Sequence, residues 1–139
     1  MDAKKYLMQL KKLDAMISNK MIEKEQWKTI ALGTTAQMGS ERVQTSSSQQ
    51  KMADAVGKYV DMGKEIDKII DDLVDTRKDI ISVIEQLEVI EYDILHKRYV
   101  QYLSFDDIAY DYDRTYTWVT TIHGRALKNV QQILERRKE

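Results

Sequence analysis

A heptad repeat of apolar residues across the middle of the chain constrains its fold more than any other feature. One set recurs every seven residues, and a second set lies three positions later in the repeat. The first is Tyr59, Ile66, Leu73, Ile80, Leu87 and Ile94, and the second is Met62, Ile69, Val83 and Ile90, with Thr76 in the remaining place. This a and d pattern predicts a helix from Lys51 to about Arg98 with one apolar seam. A lone helix cannot bury that seam, so it needs a partner.

The first part of the chain offers one such partner. Residues 2–32 have apolar side chains at spacings of three and four, which predicts an amphipathic helix. These are Tyr6, Leu7, Leu10, Leu13, Ile17 and Met21. Residues 33–50 are rich in glycine, serine, threonine and glutamine, so we expect a flexible linker or loop there. The first helix can then return along the second as a helical hairpin. A homodimer through the 59–94 seam is the other solution, and the sequence leaves both open.

Composition excludes several classes of protein. The 139 residues include no proline and no cysteine, so long helices are uninterrupted and disulfides and thiolate metal sites are absent. With only two histidines we expect no metal site. No stretch has the glycine-rich, nucleophile or metal-ligand spacing of an enzyme motif, so we expect neither catalysis nor a cofactor. No apolar run approaches the length of a membrane span, which favours a cytoplasmic protein that does not contact membranes.

Charge is unevenly distributed along the chain. Residues 1–28 carry seven lysines against four acids, a net +3, whereas residues 51–95 carry six bases against twelve acids, a net −6. From Arg114 to the end, six bases stand against two acids, a net +4. Either the two ends of the chain, rather than its middle, face a polyanion, or the charge of solvated helices simply varies along the chain, and charge alone leaves both interpretations open.

Two helix starts follow one another closely near the C-terminus. Ser104 precedes an acidic pair, and the carboxylate of Asp107 three residues later completes a capping-box pattern. The short helix that it opens has Ile108, Ala109 and Tyr112 on one face. The chain turns at Asp113-Arg114, and Thr115 is a suitable N-cap for the next helix.

The stretch TYTWVTTI, residues 115–122, has the composition of a strand, yet its pattern fits a helix. Alternation at period two produces no cleanly apolar face. At helical spacing, one continuous apolar stripe appears and runs into clearly helical sequence. The stripe is Val119, Ile122, Ala126, Val130 and Ile133. We therefore expect a helix whose first turns display threonine and tyrosine outside the buried stripe.

A short helix, a tight turn and a longer helix with polar first turns predict a helix-turn-helix, in which the second helix enters the major groove of DNA. Hydroxyl and aromatic groups there contact bases or phosphates, and basic residues contact phosphates. The candidate DNA-binding residues are Arg114, Thr115, Tyr116, Thr117, Thr120, Thr121, Arg125, Lys128, Arg136 and Arg137, with Lys138 in the same basic tail.

The stretch from Glu91 to Leu134 resembles region 4 of bacterial sigma-70-type factors. The matching residues are Arg98-Tyr99, Asp107-Ile108-Ala109, Thr115, Val119, Ile122 and Arg125-Ala126-Leu127, all in register. The whole chain is similar to small phage and prophage transcriptional regulators of the ArpU/RinA kind, in which a helical N-terminal part precedes such a module. The resemblance implies a bacterial cytoplasm and double-stranded DNA as a partner. The host RNA polymerase is a further candidate partner, and the sequence leaves open whether it is contacted.

Departures from the region 4 pattern limit what the resemblance implies. Asp113 replaces the usual glycine of the turn, and Arg114 replaces the usual apolar residue. The second helix lacks the arginines that contact guanine in the sigma pattern, so the resemblance does not imply the same target sequence. Asp106, Asp107, Asp111 and Asp113 would repel phosphates if the first helix lay on the DNA backbone.

These patterns together predict an all-α protein. Residues 1–90 form a helical hairpin or coiled coil that includes the 33–50 loop, and residues 91–139 form the helix-turn-helix domain. Regulation of phage or prophage transcription is the favoured function. A phage DNA-packaging protein of the terminase small-subunit type, or a module that docks on polymerase or a sigma factor, are alternatives. Trp118 is expected to pack on the preceding helix, and His123 to lie on the surface.

Overall fold

The computed structural model describes residues 2–40 and 46–138, and within these ranges the chain forms five α-helices and no strand. The helices are α1 (Ala3–Ser40), α2 (Ser46–Ile84), α3 (Val89–Leu95), α4 (Phe105–Tyr112) and α5 (Tyr116–Arg137). A π-helical turn, His96–Val100, follows α3 directly. The all-α fold class predicted from the sequence is therefore confirmed.

The prediction of a linker or loop at residues 33–50 is wrong for most of this range. Residues 33–40 belong to α1 and residues 46–50 belong to α2, while residues 41–45 lie outside the described chain. Extending an existing helix costs much less than nucleating one, and the segment contains no proline to stop it. Serine, threonine and glycine lower helix propensity by less than about 1 kcal/mol each, which a long flanking helix overcomes.

The single helix predicted from Lys51 to Arg98 is also wrong, because α2 ends at Ile84 and α3 begins at Val89. In the intervening turn, the amides of Gln86 and Leu87 donate to carbonyl oxygens three residues earlier, at 3.2 and 3.1 Å. Neither glycine nor proline marks this break. Its physical reason is tertiary, since the turn allows residues before and after it to pack into the same core.

Residues 15–74 form one compact unit, in which α1 and α2 contact each other. The ring centroids of Trp27 and Tyr59 lie 5.4 Å apart, and Lys24 Nζ lies 2.7 Å from Asp67 Oδ1. Lys24 precedes Trp27 in α1, whereas its partner Asp67 follows Tyr59 in α2, so the two helices run antiparallel here. Ile66 is buried, whereas Ile69 in the second heptad set is 40% exposed. Homodimerisation through the heptad seam stays a prediction.

The second compact unit consists of residues 1–14 and 75–139, as far as they are described. Its main core joins Leu7 and Leu10 of α1 to the end of α2, to α3 and the π-helical turn, and to α5. The buried members are Ala3, Leu7, Leu10, Ile80, Val83, Ile84, Leu95, Tyr99, Ala126, Val130 and Ile133. The domain boundary predicted at residues 90 and 91 falls inside this core. The C-terminal helices therefore share their packing with the first residues of the chain.

Candidate nucleic-acid interface

Helix α4 is held at its first residue and along one face. Ser104 is its N-cap, and its hydroxyl oxygen accepts a hydrogen bond from the Asp107 amide at 3.1 Å. Such a cap contributes about 1 kcal/mol. Ile108 and Ala109 are buried in a second core cluster with residues of α3 and α5. The Tyr112 hydroxyl donates to Asp93 of α3, and burial, followed by this contact, raises the pKa of the tyrosine. The helix is thus fixed on α3.

The connection between α4 and α5 depends on the backbone of Asp113. This residue has φ 52° and ψ 46°, the left-handed conformation that glycine most often occupies at a helix end. Aspartate is among the side chains that tolerate it best. The Asp113 amide donates to the Tyr110 carbonyl at 3.1 Å, and the Arg114 amide donates to the Ala109 carbonyl at 2.9 Å. Asp113 therefore adopts the conformation that glycine most often supplies at such a turn.

Helix α5 starts and packs as predicted. Thr115 is its N-cap, with Oγ1 accepting from the Trp118 amide at 3.1 Å. All five residues of the predicted stripe, Val119, Ile122, Ala126, Val130 and Ile133, are buried. Val119 and Ile122 pack with α4, and the other three pack in the main core. The helical interpretation of the strand-like segment is therefore confirmed.

The polar residues of the first turns of α5 point outward. Tyr116, Thr117, Thr121 and Lys128 are exposed, and Thr120 is half-buried. Thr117, Thr121 and Lys128 lie at intervals that place them along one line of the helix surface, with exposed Gly124 among them. We call this line, Thr117–Thr121–Gly124–Lys128, the outer face of α5. Its side chains are free to meet a partner.

The hydroxyl groups of Thr120 and Thr121 have a defined acceptor. Thr120 Oγ1 and Thr121 Oγ1 both donate to the Thr117 carbonyl, at 3.1 and 2.8 Å. A threonine hydroxyl has one proton and two acceptor lone pairs. With the proton directed to the backbone, each side chain offers an acceptor and a methyl group to a partner. These groups suit the amino groups of adenine or cytosine and the methyl group of thymine.

Arg114 and Trp118 pack together beside the turn. The Arg114 guanidinium lies 5.3 Å from the centroid of the Trp118 ring, and that ring lies 5.4 Å from the ring of Tyr112. Trp118 is half-buried and packs on the second core cluster, as the packing interpretation expects. Arg114 stays exposed. The indole therefore positions a cation at the N-terminal end of α5.

Arg125 has a structural contact that the sequence did not reveal. Its Nε lies 3.7 Å from Oε2 of Glu91, a carboxylate of α3 whose side chain is only 4% exposed. Asn129 of α5 also donates to Glu91. An isolated carboxylate is costly to bury, so these two contacts compensate it. Glu91 lies three residues before Ile94 and four before Leu95, and this spacing was the available signal for its burial.

The structure separates Arg136 and Arg137 from the other candidate residues. At 1.5 Å per residue, they lie about 30 Å along the helix from Tyr116. The Arg136 Nε donates to the Gln132 carbonyl at 3.4 Å, and Arg137 pairs with Asp79 of α2 at 3.1 Å. The hydrogen bond to Asp79 is the first cause of the raised pKa of Arg137. The outer face of α5 therefore does not include these two residues.

The prediction that His123 lies on the surface is wrong, because this residue is 9% exposed. Its Nε2 lies 2.8 Å from the Tyr99 hydroxyl, and its ring lies 4.9 Å from the ring of Phe105. Burial, then the charges of Arg98 and Lys4, lower its pKa to about 4. The histidine is thus neutral near pH 7. It lies four residues after Val119 and three before Ala126, so the apolar spacing already contained the signal.

Acidic groups occupy the surface of α4 and the turn. Asp106, Asp107, Asp111 and Asp113 are all exposed, as is Tyr110, at 86%. A phosphate chain near these side chains would be repelled. The exposed surface of α4 is therefore unfavourable for contact with a phosphate chain.

No group of three or more histidine, cysteine, aspartate or glutamate side chains in residues 2–40 and 46–138 could hold a metal ion. No helix in the same ranges is both long and apolar enough to cross a membrane.

Comparison with known proteins provides no relative for this arrangement. No family model, no curated protein and no solved structure matches the chain significantly.

Proposed function

We propose that this chain is a sequence-specific, double-stranded DNA-binding regulator of phage or prophage transcription. In this proposal α4, the connection Asp113–Thr115 and α5 act as a helix-turn-helix. The observation that carries the proposal is the outer face of α5, which begins at a capped helix end, is backed by two cores, and presents small polar and basic side chains outward. A second helix presented in this way suits the major groove.

The proposed contacts follow from the chemistry of that face. Thr117 and Thr121 present methyl groups and hydroxyl oxygens to base edges, and Tyr116 lies beside them at the helix start. Arg114 and Lys128, near the two ends of the face, bind phosphates and orient the helix. Arg125 contributes less, because its guanidinium compensates Glu91.

The surface of α4 favours a second candidate, docking on a basic protein such as a subunit of the host RNA polymerase. Tyr110 is 86% exposed and is flanked by the carboxylates of Asp106, Asp107 and Asp111. Aromatic residues are enriched in protein interfaces, and charge complementarity steers partners together. This surface differs from the outer face of α5, so the two activities are separable by mutation.

Selection of bound duplexes from a random pool, with purified protein, tests DNA recognition. Thr121→Val keeps a methyl group and removes the hydroxyl, whereas Thr121→Ser does the reverse. Each should alter the preference at one base position by about 1–3 kcal/mol without abolishing binding. Gln132→Ala, exposed about three turns further along α5, serves as the control that leaves the preference unchanged.

The outcomes distinguish the two candidates. Binding with no sequence preference, or the same selected sequence from all variants, would refute base reading by this face. No binding of any duplex at low salt, together with polymerase capture that Tyr110→Ala abolishes, would establish docking in place of DNA recognition.

A further inference from the structure

The first turns of α1 lie against the C-terminal half of α5. The backbone amide of Ala3 donates to Gln131 Oε1 at 2.7 Å, and Leu7 is fully buried in the main core. Lysines at positions 4, 5, 11 and 12 are exposed around this part of α1. These four lysines and the basic residues of α5 therefore belong to one compact unit.

Two of these lysines lie on the side of α1 that faces the π-helical turn. Lys4 and Lys11 are seven residues apart, which places them two turns apart on one side of the helix. A cleft of about 230 Å³ is lined by Met8 and Lys11 of α1 and by Arg98 and Tyr102, among others. The charge of Lys4, after burial and the charge of Arg98, contributes to the lowered pKa of His123. Lys4, Lys11 and Arg98 thus lie along one side of the unit.

This side is continuous with the start of α5. The Arg98 guanidinium lies 4.3 Å from the centroid of the Phe105 ring, and the Phe105 ring lies 6.0 Å from that of Tyr116. One aromatic side chain therefore separates Arg98 from a proposed DNA-binding residue. Within the described chain, no carboxylate forms an ion pair with Lys4, Lys11 or Arg98. By contrast, Arg125 and Arg137 each pair with an acid.

We infer that Lys4, Lys11 and Arg98, here named the lateral patch, bind phosphates of the DNA backbone beside the groove that α5 occupies. This inference rests on the proposed function. About 10 Å of helix axis separates Lys4 from Lys11, which allows the two ammonium groups to contact different phosphates. The patch also explains how the unit binds a polyanion despite the carboxylates of α4, since α1 supplies positive charge outside the helix-turn-helix.

The salt dependence of DNA binding tests the lateral patch. The probe is a fluorescein-labelled random-sequence duplex of about three helical turns, and binding to the full chain is followed by anisotropy between about 50 and 200 mM salt. Loss of two phosphate contacts should make the slope of log K against log salt shallower by about 1.8. We expect this change in the double variant Lys4→Gln/Lys11→Gln.

Matched variants separate the effect of where the lysines lie on α1 from the effect of the net charge of the protein. Lys5→Gln/Lys12→Gln removes the same two charges from exposed positions rotated by about 100° around α1, and it should leave the slope nearly unchanged. Lys4→Arg/Lys11→Arg keeps both charges and should retain the slope of the unmodified chain. Thermal unfolding of each variant checks that the fold is intact.

Other results of the salt titration would overturn the lateral patch or the proposed DNA-binding function. Equal changes in the two glutamine variants would show a general charge effect and overturn the lateral patch, as would no change in either. If the unmodified chain binds no duplex at low salt, the proposed DNA-binding function fails and the lateral patch fails with it. Binding with an unaltered slope in Lys4→Gln/Lys11→Gln refutes the patch alone.

Discussion

Gly124 lies in the interior of α5 and on its outer face, where the chain itself provides no reason for a glycine. Its backbone φ angle is negative, like that of every glycine in the described residues. A Cβ atom placed there would meet nothing within 4 Å. Glycine in a helix interior is less favourable than alanine by about 0.5–1 kcal/mol. We therefore predict that Gly124→Ala raises the free energy of unfolding by about that amount.

The same substitution should weaken DNA binding. If the outer face of α5 lies in a groove, an added methyl group at position 124 displaces the helix backbone from the base edges. We expect at least a tenfold loss of affinity, or about 1.4 kcal/mol, for the selected duplex. Gly124→Ala would then be more stable than the unmodified chain and yet bind DNA more weakly. General damage to the fold would instead lower both stability and affinity.

Gly57→Ala provides the matched control. Gly57 is also exposed inside a helix, and a Cβ there would also meet nothing within 4 Å. It should raise stability similarly and leave DNA binding unchanged. Urea unfolding followed by circular dichroism, with anisotropy for binding, measures both quantities. A lower stability of Gly124→Ala would refute the helix-propensity reasoning. Increased stability with unaltered binding would refute the close approach of DNA to this face.

Two further predictions concern the buried polar groups. The pKa of His123 is depressed to about 4 when folded and is near 6.5 when unfolded, so the unfolded chain binds the extra proton first as pH falls. The neutral histidine therefore costs no stability above pH 6.5, and stability is lost progressively between pH 6.5 and 4, by up to about 3 kcal/mol. Urea unfolding across this range should show a steeper pH dependence than in His123→Phe, and identical slopes would contradict the assignment. Arg125→Ala should cost about 1–2 kcal/mol by leaving Glu91 with one partner fewer, and Glu91→Gln should remove most of that cost in a double-mutant cycle. Additive effects of the two substitutions would show that the pair is not coupled.

The local features of α4 and α5 were predictable because short-range chemistry decides them. Ser104 and Thr115 are N-caps because a hydroxyl before a helix can accept from an amide three residues later. The stripe from Val119 to Ile133 is buried because apolar residues at helical spacing must face a core. The caps depend on residues within one turn of each other, and the stripe depends on a spacing that repeats along a single helix, so no knowledge of the rest of the fold was needed.

Other features required the tertiary structure. The break at residues 85–88 has no local signal, and it exists because Ile84 and Leu95 both pack with α5. His123 and Glu91 are polar residues on otherwise apolar faces, and their burial depends on partners 24 and 38 residues away. Their spacing places them on the buried side of their helices. Hydrogen bonds to those partners offset the free-energy cost of burying the two polar groups.

The amino-acid sequence by itself determined an all-helical chain, the caps of its C-terminal helices and the side of α5 that faces inward. Those properties follow from backbone propensity and side-chain periodicity, which act over a few residues. Only the tertiary structure decided that the first turns of α1 share a core with α5, and that Arg125 and Arg137 pair with acids. It also joined the Ala3 amide of α1 to Gln131 of α5 by a hydrogen bond. Such long-range contacts depend on how apolar surfaces from distant segments are buried together, and heptad spacing alone does not specify which segments those are.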